Sequence, residues 1–258
     1  MLPSLFIAHG SPLLAIENNA YTEFLNRLSG RYALPKAVVI FSAHWESRVQ
    51  KIGDVEAYEM IYDFGGFPDE LYRIRYPARG SRATVEAIEE QFALEGIAYE
   101  KDGRRGLDHG AWVVLRLLYP QADVPVVSMS VNPNLIPEEH YRIGQALAPL
   151  RERDILVIGS GGTVHNLAGL NRRNTGVESW AVQFDDWLAD CLEHWDLHAL
   201  FDYERRAPFA HEAVPWMGNE HFIPLLYAMG AADRAQASKL LHRSYVYGSL
   251  SQSCWQFG

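Results

Sequence analysis

Histidines stand at the ends of two apolar runs, an arrangement that can bring imidazole rings to one site. The stretch SLFIAHGSP reaches His9 at the end of its apolar part, and AVVIFSAHWES repeats the arrangement at His44. Unbroken apolar runs of this length are typical of strands that are buried on both faces. Because the carboxyl ends of parallel strands lie at one edge of a sheet, we expect both rings at that edge.

Three further histidines lie at the boundaries of predicted elements. His109 opens the predicted helix of GLDHGAWVVLRLLYP, His165 follows the strand of ILVIGSGGTVHNL, and His221 opens a helix in GNEHFIPLLYAMGAA. A single histidine at a strand end is more often a hydrogen-bonded structural residue, but its repetition at two strands favours a shared site. Imidazoles without thiolates favour zinc, iron, manganese or nickel, so the pattern predicts a metal site.

The other histidines give weaker signals. His194 and His198 have the spacing of a helical metal pair, but HWDLH lacks the glutamate of HExxH, and we interpret both as surface residues. His140 and His242 also resemble residues on exposed helix faces. His211 precedes His221 by a short segment rich in turn-forming residues, so it can reach the same pocket or remain outside it.

Three motifs for other chemistries are absent. GSGGTVHN contains neither the GxxxxGK[ST] phosphate loop nor the last glycine of GxGxxG, because Val164 occupies that position. The GxSxG pattern of serine hydrolases also fails, since Ile158 replaces its first glycine, which weakens a nucleophilic role for Ser160. Gly161 and Gly162 are better explained by a tight turn that directs His165 into the crevice.

Strand-like and helix-like segments alternate along the chain, which predicts an α/β fold with a mostly parallel or mixed sheet. We expect one catalytic domain over residues 1–258, with its active site at the carboxyl edge of the strands. The predicted strands are 3–8, 37–43, 49–53, 124–131 and 154–159, with a final strand within 245–257. The predicted helices are 19–28, 81–94, 110–118, 138–150 and 177–193, and residues 62–80 form an ordered loop beside the site.

The composition restricts the partners. The formal net charge of −9 argues against general binding to nucleic acid or to anionic membranes. The two cysteines form no CxxC pair, and we see neither a signal peptide nor an apolar run of membrane-spanning length, so a cytoplasmic location is the expectation. Small molecules are the expected partners, and the oligomeric state is left open.

Seven motifs in order along the chain resemble the 4,5-DOPA extradiol dioxygenase family, within the class III (LigB-like) extradiol ring-cleavage dioxygenases. They are HGSP at His9, SAHW at His44, YDFGGFP at Tyr62, DHGAW at Asp108, SVNP at Ser130, GSGGTVHNL at Gly159 and EHFIPLLYAMGA at Glu220. The segment HEAVPWMGNEHF departs from the family pattern around Trp216 and Met217, so the resemblance does not extend to that rim.

The resemblance implies a non-haem metal enzyme that opens a catechol ring beside its two hydroxyls and inserts both atoms of dioxygen. By motif, His9, His44 and His221 match the metal ligands, His165 the acid/base histidine, and His109 the second pocket histidine. Fe(II) is the expected cofactor because it supports redox chemistry, whereas Zn(II) can occupy the same site without it.

Two alternatives remain open at this stage. The same histidines can serve a zinc-dependent hydrolase, with Glu220 or Glu212 as general base. They can also belong to a protein that holds a metal but has lost catalysis. Other branches of the superfamily use a carboxylate as third ligand, and Glu220 stands next to His221.

Overall fold

Four parallel strands form the centre of an eight-stranded sheet, and they carry most of the predicted site. The computed structural model describes residues 1–170 and 176–258. The strands are β1 (Ser4–Ala8), β2 (Ala37–Glu46), β3 (Gln50–Gly53), β4 (Tyr99–Asp102), β5 (Val126–Val131), β6 (Ile155–Gly161), β7 (Ser238–His242), β8 (Tyr245–Val246), β9 (Leu250–Ser251) and β10 (Cys254–Phe257).

The strand order makes the sheet mixed. It runs β4-β3-β5-β2-β6-β1-β10-β7, while β8 and β9 pair only with each other. Strands β1, β6, β2 and β5 are mutually parallel. On one side β3 is antiparallel to β5, and on the other β10 is antiparallel to β1 and to β7. The carboxyl ends of the four central strands therefore share one edge, as the sequence predicted.

Helices cover both faces of this sheet. They are α1 (Ala20–Leu28), α2 (Arg82–Glu95), α3 (His109–Leu118), α4 (Pro137–Ala146), α5 (Ala148–Glu152), α6 (Ser179–Glu193), α7 (Leu197–Phe201), α8 (Tyr203–Arg206), α9 (Ala210–Ala213) and α10 (Ile223–Gly230). Among the described residues, no helix combines the length and the apolar character needed to cross a bilayer. The architecture confirms the predicted α/β class.

The unbroken apolar run of β2 follows from these two layers. Val38 and Ile40 pack into a core that includes α1 and α3, whereas Val39 and Phe41 pack into a core that includes α2 and α4. Successive residues of a strand point to opposite faces, so a strand covered on both faces needs apolar residues at every position. This packing anchors β2 firmly up to the point where it presents His44.

All five predicted internal strands form. Residues 49–53 contain β3, which is antiparallel to its neighbour β5, so the sheet is mixed, one of the two arrangements that the sequence predicted. One predicted helix needs correction. The single helix predicted over 138–150 is divided into α4 and α5 at Leu147. Pro149 explains the break, because it has no N–H to donate to the carbonyl four residues earlier.

The C-terminal region is also more divided than predicted. The single strand expected within 245–257 consists of β8, β9 and β10, because the chain turns at Tyr247 and Gly248 with φ values of 51° and 83°. Strands β4 and β7 were not predicted. Both are mostly polar and lie at the two edges of the sheet, so they lack the apolar run that marks a buried strand.

Candidate metal centre

The five histidines predicted for the site lie together at the carboxyl edge of the sheet. His9 follows β1, His44 lies near the end of β2, His109 begins α3, and His165 follows β6 by a short loop. His221 ends a short 3-10 turn before α10. The ring centroids of His9, His44 and His221 are separated by 4.8, 5.1 and 4.9 Å. Segments far apart in the chain therefore form one compact imidazole cluster.

The hydrogen bonds of His9 define which of its nitrogens faces the cluster. Ser160 Oγ donates to the carbonyl oxygen of Gly110 at 2.5 Å, so it is left to accept from His9 Nδ1 at 3.0 Å. Nδ1 therefore carries the hydrogen, and His9 Nε2 has a free lone pair. That Nε2 lies 3.0 Å from His44 Nε2. Two nitrogens at this separation subtend about 90° at an ion bound roughly 2.1 Å from each.

His221 has a nitrogen that the described protein leaves unsatisfied. Its Nδ1 donates to Glu220 Oε1 at 2.8 Å. Its Nε2 is buried and has no hydrogen-bond partner among the described residues. A buried polar atom without a partner costs free energy, and a metal ion is a partner that a bare imidazole nitrogen suits. The donor set of His9, His44 and His221 therefore fits a divalent cation.

Two other groups of potential ligand atoms overlap this set. One comprises His44, Asp63 and His109, and the other comprises His165, Glu220 and His221. In each of them a carboxylate already accepts an N–H from an imidazole, at 2.9 Å for His109 and at 2.8 Å for His221. These carboxylates therefore orient the His109 and His221 rings through hydrogen bonds.

Asp108 and its partners fix the start of α3, where His109 lies. The fully buried Asp108 caps the helix by accepting from the Ala111 N–H at 3.2 Å, and it also accepts from Ser42 Oγ at 2.5 Å. Arg105 pairs with the same carboxylate at 3.0 Å and donates to the carbonyl oxygen of His44 at 2.9 Å. One charged network thus joins α3 to the end of β2.

His165 lies beside the proposed ligands without being one of their group. Its ring stacks on His221, with centroids 3.5 Å apart and planes inclined by 7°. Its backbone N–H donates to the carbonyl oxygen of Ala213 at 3.0 Å, which holds the loop after β6 in place. A titratable ring is thereby set next to the cluster, where it can exchange a proton with a bound molecule.

Two glycines allow this close assembly. A Cβ at Gly161 would lie 2.0 Å from the carbonyl oxygen of His221, and one at Gly110 would lie 2.7 Å from Ser42 Oγ and 2.9 Å from the His44 ring. Any larger residue at Gly161 would push the turn that bears His221 away from β6. The close approach of β6 to this turn explains the glycine at 161, whereas a Cβ at Gly162 would lie 3.5 Å from the His165 side chain, an ordinary contact distance.

The protein environment keeps four of the clustered rings neutral. Burial, together with the neighbouring imidazoles, lowers the pKa of His9 and of His221 well below its ordinary value. Burial also lowers the pKa of His44 to about 4 and that of His165 to about 3. For Asp63 burial opposes ionisation, but hydrogen bonds from His109 prevail and bring its pKa to about 2. Neutral imidazoles are the form that binds metal.

These shifts predict that the metal-free protein loses stability in mild acid. In the folded state the four rings titrate below the 6.5 of a free histidine, so between these values the unfolded chain binds more protons. The stabilisation is complete above pH 6.5 and falls as pH decreases, by up to about 1.4 kcal/mol per pH unit for each ring. Denaturant unfolding at pH 7.5 and 5.5 measures this loss.

The exposed His198 provides the control for that measurement. His198→Gln should leave the pH dependence unchanged, because this ring lies on the surface of α7. A free energy of unfolding that stays constant from pH 7.5 to 5.5 would contradict the burial of neutral rings.

The remaining histidines divide differently from the sequence-based interpretation. His194 and His198 are exposed, as predicted, and His211 is exposed on α9, outside the ligand groups of the described residues. His140 was interpreted as a surface residue, which is wrong, because it is buried and its Nδ1 lies 3.0 Å from the Tyr227 hydroxyl. His242 lies in β7 and is not helical.

A cavity of about 740 Å³ lies beside the turn that bears His221. It is lined by Asn219, at the start of that turn, by Phe222, just after it, and by the exposed Trp216. None of the five clustered histidines lines it. The side chains of Trp216 and Met217 are 83% and 96% exposed, so the segment that departs from the family pattern is a surface rim.

The comparison with known proteins identifies the family. Residues 4–258 match the family model described as the catalytic LigB subunit of aromatic ring-opening dioxygenase. The chain belongs to the LigB family. It is therefore a metal-dependent ring-opening dioxygenase of the extradiol type, as the resemblance implied.

Full-length relatives agree with this membership. A protein of Beta vulgaris named 4,5-DOPA dioxygenase extradiol is 40% identical over 98% of this chain and 96% of its own length. A protein of Escherichia coli K12 with the same name is 34% identical over 100% of this chain and 95% of its own. A crystal structure of an uncharacterized protein from Escherichia coli K12 superposes with a TM-score of 0.85 at 32% identity, covering 100% of both chains.

Two residues that support this LigB-family site were not predicted from the sequence. Asp63 was overlooked as a partner of imidazoles, and Ser160 was considered only as a nucleophile. The available signal for Asp63 was a lone carboxylate inside the aromatic stretch YDFGGFP. Nothing local in the sequence indicates that Ser160 would accept from His9, because 151 positions separate the two residues.

Proposed function

We propose that this LigB-family enzyme opens the ring of a catechol beside its two hydroxyls, and that both oxygen atoms of dioxygen enter the product. DOPA or a related substituted catechol is the proposed substrate. Support comes from full-length relatives of 34–40% identity that are named 4,5-DOPA dioxygenase extradiol. We propose residues 1–258 as one catalytic domain in the cytoplasm, in keeping with two free, buried cysteines.

We assign the metal to His9, His44 and His221. The observation that carries this assignment is the buried Nε2 of His221, which has no partner among the described residues. Further support comes from His9 Nε2 and His44 Nε2, which lie 3.0 Å apart. Three ligands on one side leave room for substrate, as expected of a catalytic rather than a closed structural site.

Fe(II) is the metal that suits this activity. When bound, it would hold both reactants and transfer electron density between them, which zinc cannot do. The protein contributes a set of neutral donors, so the ion would keep its double positive charge and favour a deprotonated catechol. Zn(II) can occupy the same three nitrogens as an inactive substitute.

His165 and His109 carry the proton chemistry in this proposal. Burial lowers the pKa of His165 to about 3, so its ring is neutral at pH 7 and has a free lone pair. It can accept the hydroxyl proton of a catechol whose acidity a bound metal ion would increase. His109 lies at the amino end of α3 with its Nδ1 held by Asp63 at 2.9 Å. Its other nitrogen can hydrogen-bond the substrate hydroxyl or oxygen, near the positive end of the helix dipole.

The zinc-hydrolase alternative is not favoured. Its two candidate bases are poorly suited, because Glu220 accepts from His221 at 2.8 Å and Glu212 is exposed on α9. A carboxylate that holds a ligand in place is not free to activate water. A protein that only holds metal would not need a neutral ring stacked beside the ligands, as His165 is.

Oxygen uptake tests the proposed function. The metal-free protein is loaded with Fe(II) under anaerobic conditions and mixed with DOPA, then with simpler catechols, while oxygen and absorbance are recorded. We expect one oxygen consumed per catechol and a new yellow semialdehyde chromophore, both absent from the zinc-loaded form. No uptake with any catechol, at full iron occupancy, would rule out ring cleavage and restore the hydrolase alternative.

A further inference from the structure

The carboxylate of Asp63 bridges two histidines of the site that belong to different elements. Its Oδ1 accepts from the backbone N–H of His109 at 2.9 Å. Its Oδ2 lies 2.9 Å from Nδ1 of His109 and 3.4 Å from Nδ1 of His44. One side chain from the loop between β3 and α2 therefore contacts both a proposed metal ligand and the second pocket histidine.

The chemistry of a carboxylate defines the hydrogens on both rings. An ionised carboxylate only accepts hydrogen bonds, so the His109 Nδ1 that contacts Asp63 at 2.9 Å carries the hydrogen. The negative charge 3.4 Å from His44 Nδ1 favours the hydrogen on that nitrogen as well, because a lone pair there would face the carboxylate. The lone pairs of His44 and His109 are then on Nε2. For His44 this atom points into the cluster, 3.0 Å from His9 Nε2, where a metal ligand must present its lone pair.

The loop holds Asp63 firmly enough for this purpose. On its amino side, Ile61 pairs with Leu107 at 2.7 Å and accepts from the indole of Trp112 at 3.2 Å. On its carboxyl side, the Phe64 ring lies edge-on to His109 with centroids 5.8 Å apart. The side chain of Asp63 itself is only 21% exposed. Its carboxylate thus has one position relative to α3.

We infer that Asp63 is a positioning residue that fixes the ring orientation and tautomer of both His44 and His109. The inference rests on the proposed function, since it assigns these histidines to metal and substrate. Through this carboxylate, one residue controls both metal affinity and the hydrogen bond that His109 offers to the catechol. Glu220 orients a single ring, because it accepts a hydrogen bond only from His221 among the clustered histidines of the described residues.

Asp63→Asn tests the inference through metal binding. The amide has a single acceptor oxygen, and if this keeps the His109 N–H, the amide N–H groups face both Nδ1 atoms. Each ring then favours the tautomer with hydrogen on Nε2, which removes the lone pair of His44. We expect the zinc affinity of the metal-free protein to fall about 10- to 100-fold. Asp69→Asn, an exposed site on the same loop, is the matched control and should change nothing.

The ring nitrogens report the tautomers directly. In ¹⁵N spectra of the metal-free protein with its natural sequence, His44 and His109 should both show hydrogen on Nδ1. In Asp63→Asn both should move to Nε2, and Asp63→Glu, which keeps an anionic acceptor, should restore Nδ1–H and most of the zinc affinity. Thermal unfolding of the metal-free forms checks that each variant folds.

Three results would overturn the inference. One is an Nε2–H tautomer at either ring in the natural sequence, which needs no variant. Another is unchanged zinc affinity and unchanged tautomers in Asp63→Asn. The third is that the natural protein binds two zinc ions and Asp63→Asn binds only one, which would make Asp63 a metal ligand. None of these measurements involves oxygen, so a failure of ring cleavage would leave their outcome intact.

Discussion

Replacing His44 by alanine is expected to abolish metal loading and, with it, ring cleavage. His44 supplies one of the three proposed nitrogen ligands and lies 3.0 Å from a second, so its loss leaves an incomplete site. We expect metal affinity to fall by more than about 100-fold, beyond the effect typical of residues that only orient a ligand. Iron content after dialysis, and oxygen uptake with a catechol, measure the two losses.

The fold should tolerate this change. The backbone contacts of His44 remain available, because its carbonyl oxygen accepts from Arg105 and its N–H donates to Ser42 Oγ. His198→Ala removes an exposed histidine and serves as the matched control. Normal iron content in His44→Ala, with a native circular dichroism spectrum, would show that the ligand assignment is incorrect.

Replacing His165 by phenylalanine is expected to separate metal binding from catalysis. Phenylalanine keeps an aromatic ring that can stack on His221, where the native centroids are 3.5 Å apart, but it cannot accept a proton. We expect an unchanged iron content and KM, with kcat lowered by about 10²- to 10⁴-fold, the usual contribution of a general acid or base. Steady-state oxygen uptake with an iron-loaded variant measures this split.

A second substitution removes the stacking as well. His165→Ala should lower kcat by a similar factor, and any additional loss of iron would report the contribution of stacking to the position of His221. If both variants kept the full kcat, His165 would have no role as proton carrier, and His109 would become the candidate for that role.

The fold was predictable where the signal is local and apolar. The central strands carry continuous apolar runs because both faces are buried, and every one of them was recognised. The direction of β3 was not predictable, since antiparallel pairing with β5 depends on the path of the chain rather than on composition. The edge strands β4 and β7 were not predicted, because a strand at the edge of a sheet does not need an apolar sequence.

The candidate site was predictable as a set of residues but not as an arrangement. Two strands ending on histidine pointed to one edge, and the family motifs nominated the remaining rings. The partners of those rings were mostly missed, because a serine or an aspartate in a loop has many common uses. His140 was predicted to be exposed but is buried, because this polar residue of α4 packs inward and its Nδ1 lies 3.0 Å from the Tyr227 hydroxyl.

By itself, the sequence determined the central strands, the family and the histidines available for metal binding, because these depend on local residue order. Only the tertiary structure decided how the five predicted histidines are arranged and which nitrogen each presents. That choice depends on contacts between distant segments, such as the hydrogen bonds of Ser160 with His9 and of Asp63 with His109, and the charge of Asp63 beside His44. An imidazole is a metal ligand only when such a partner directs its lone pair to the ion.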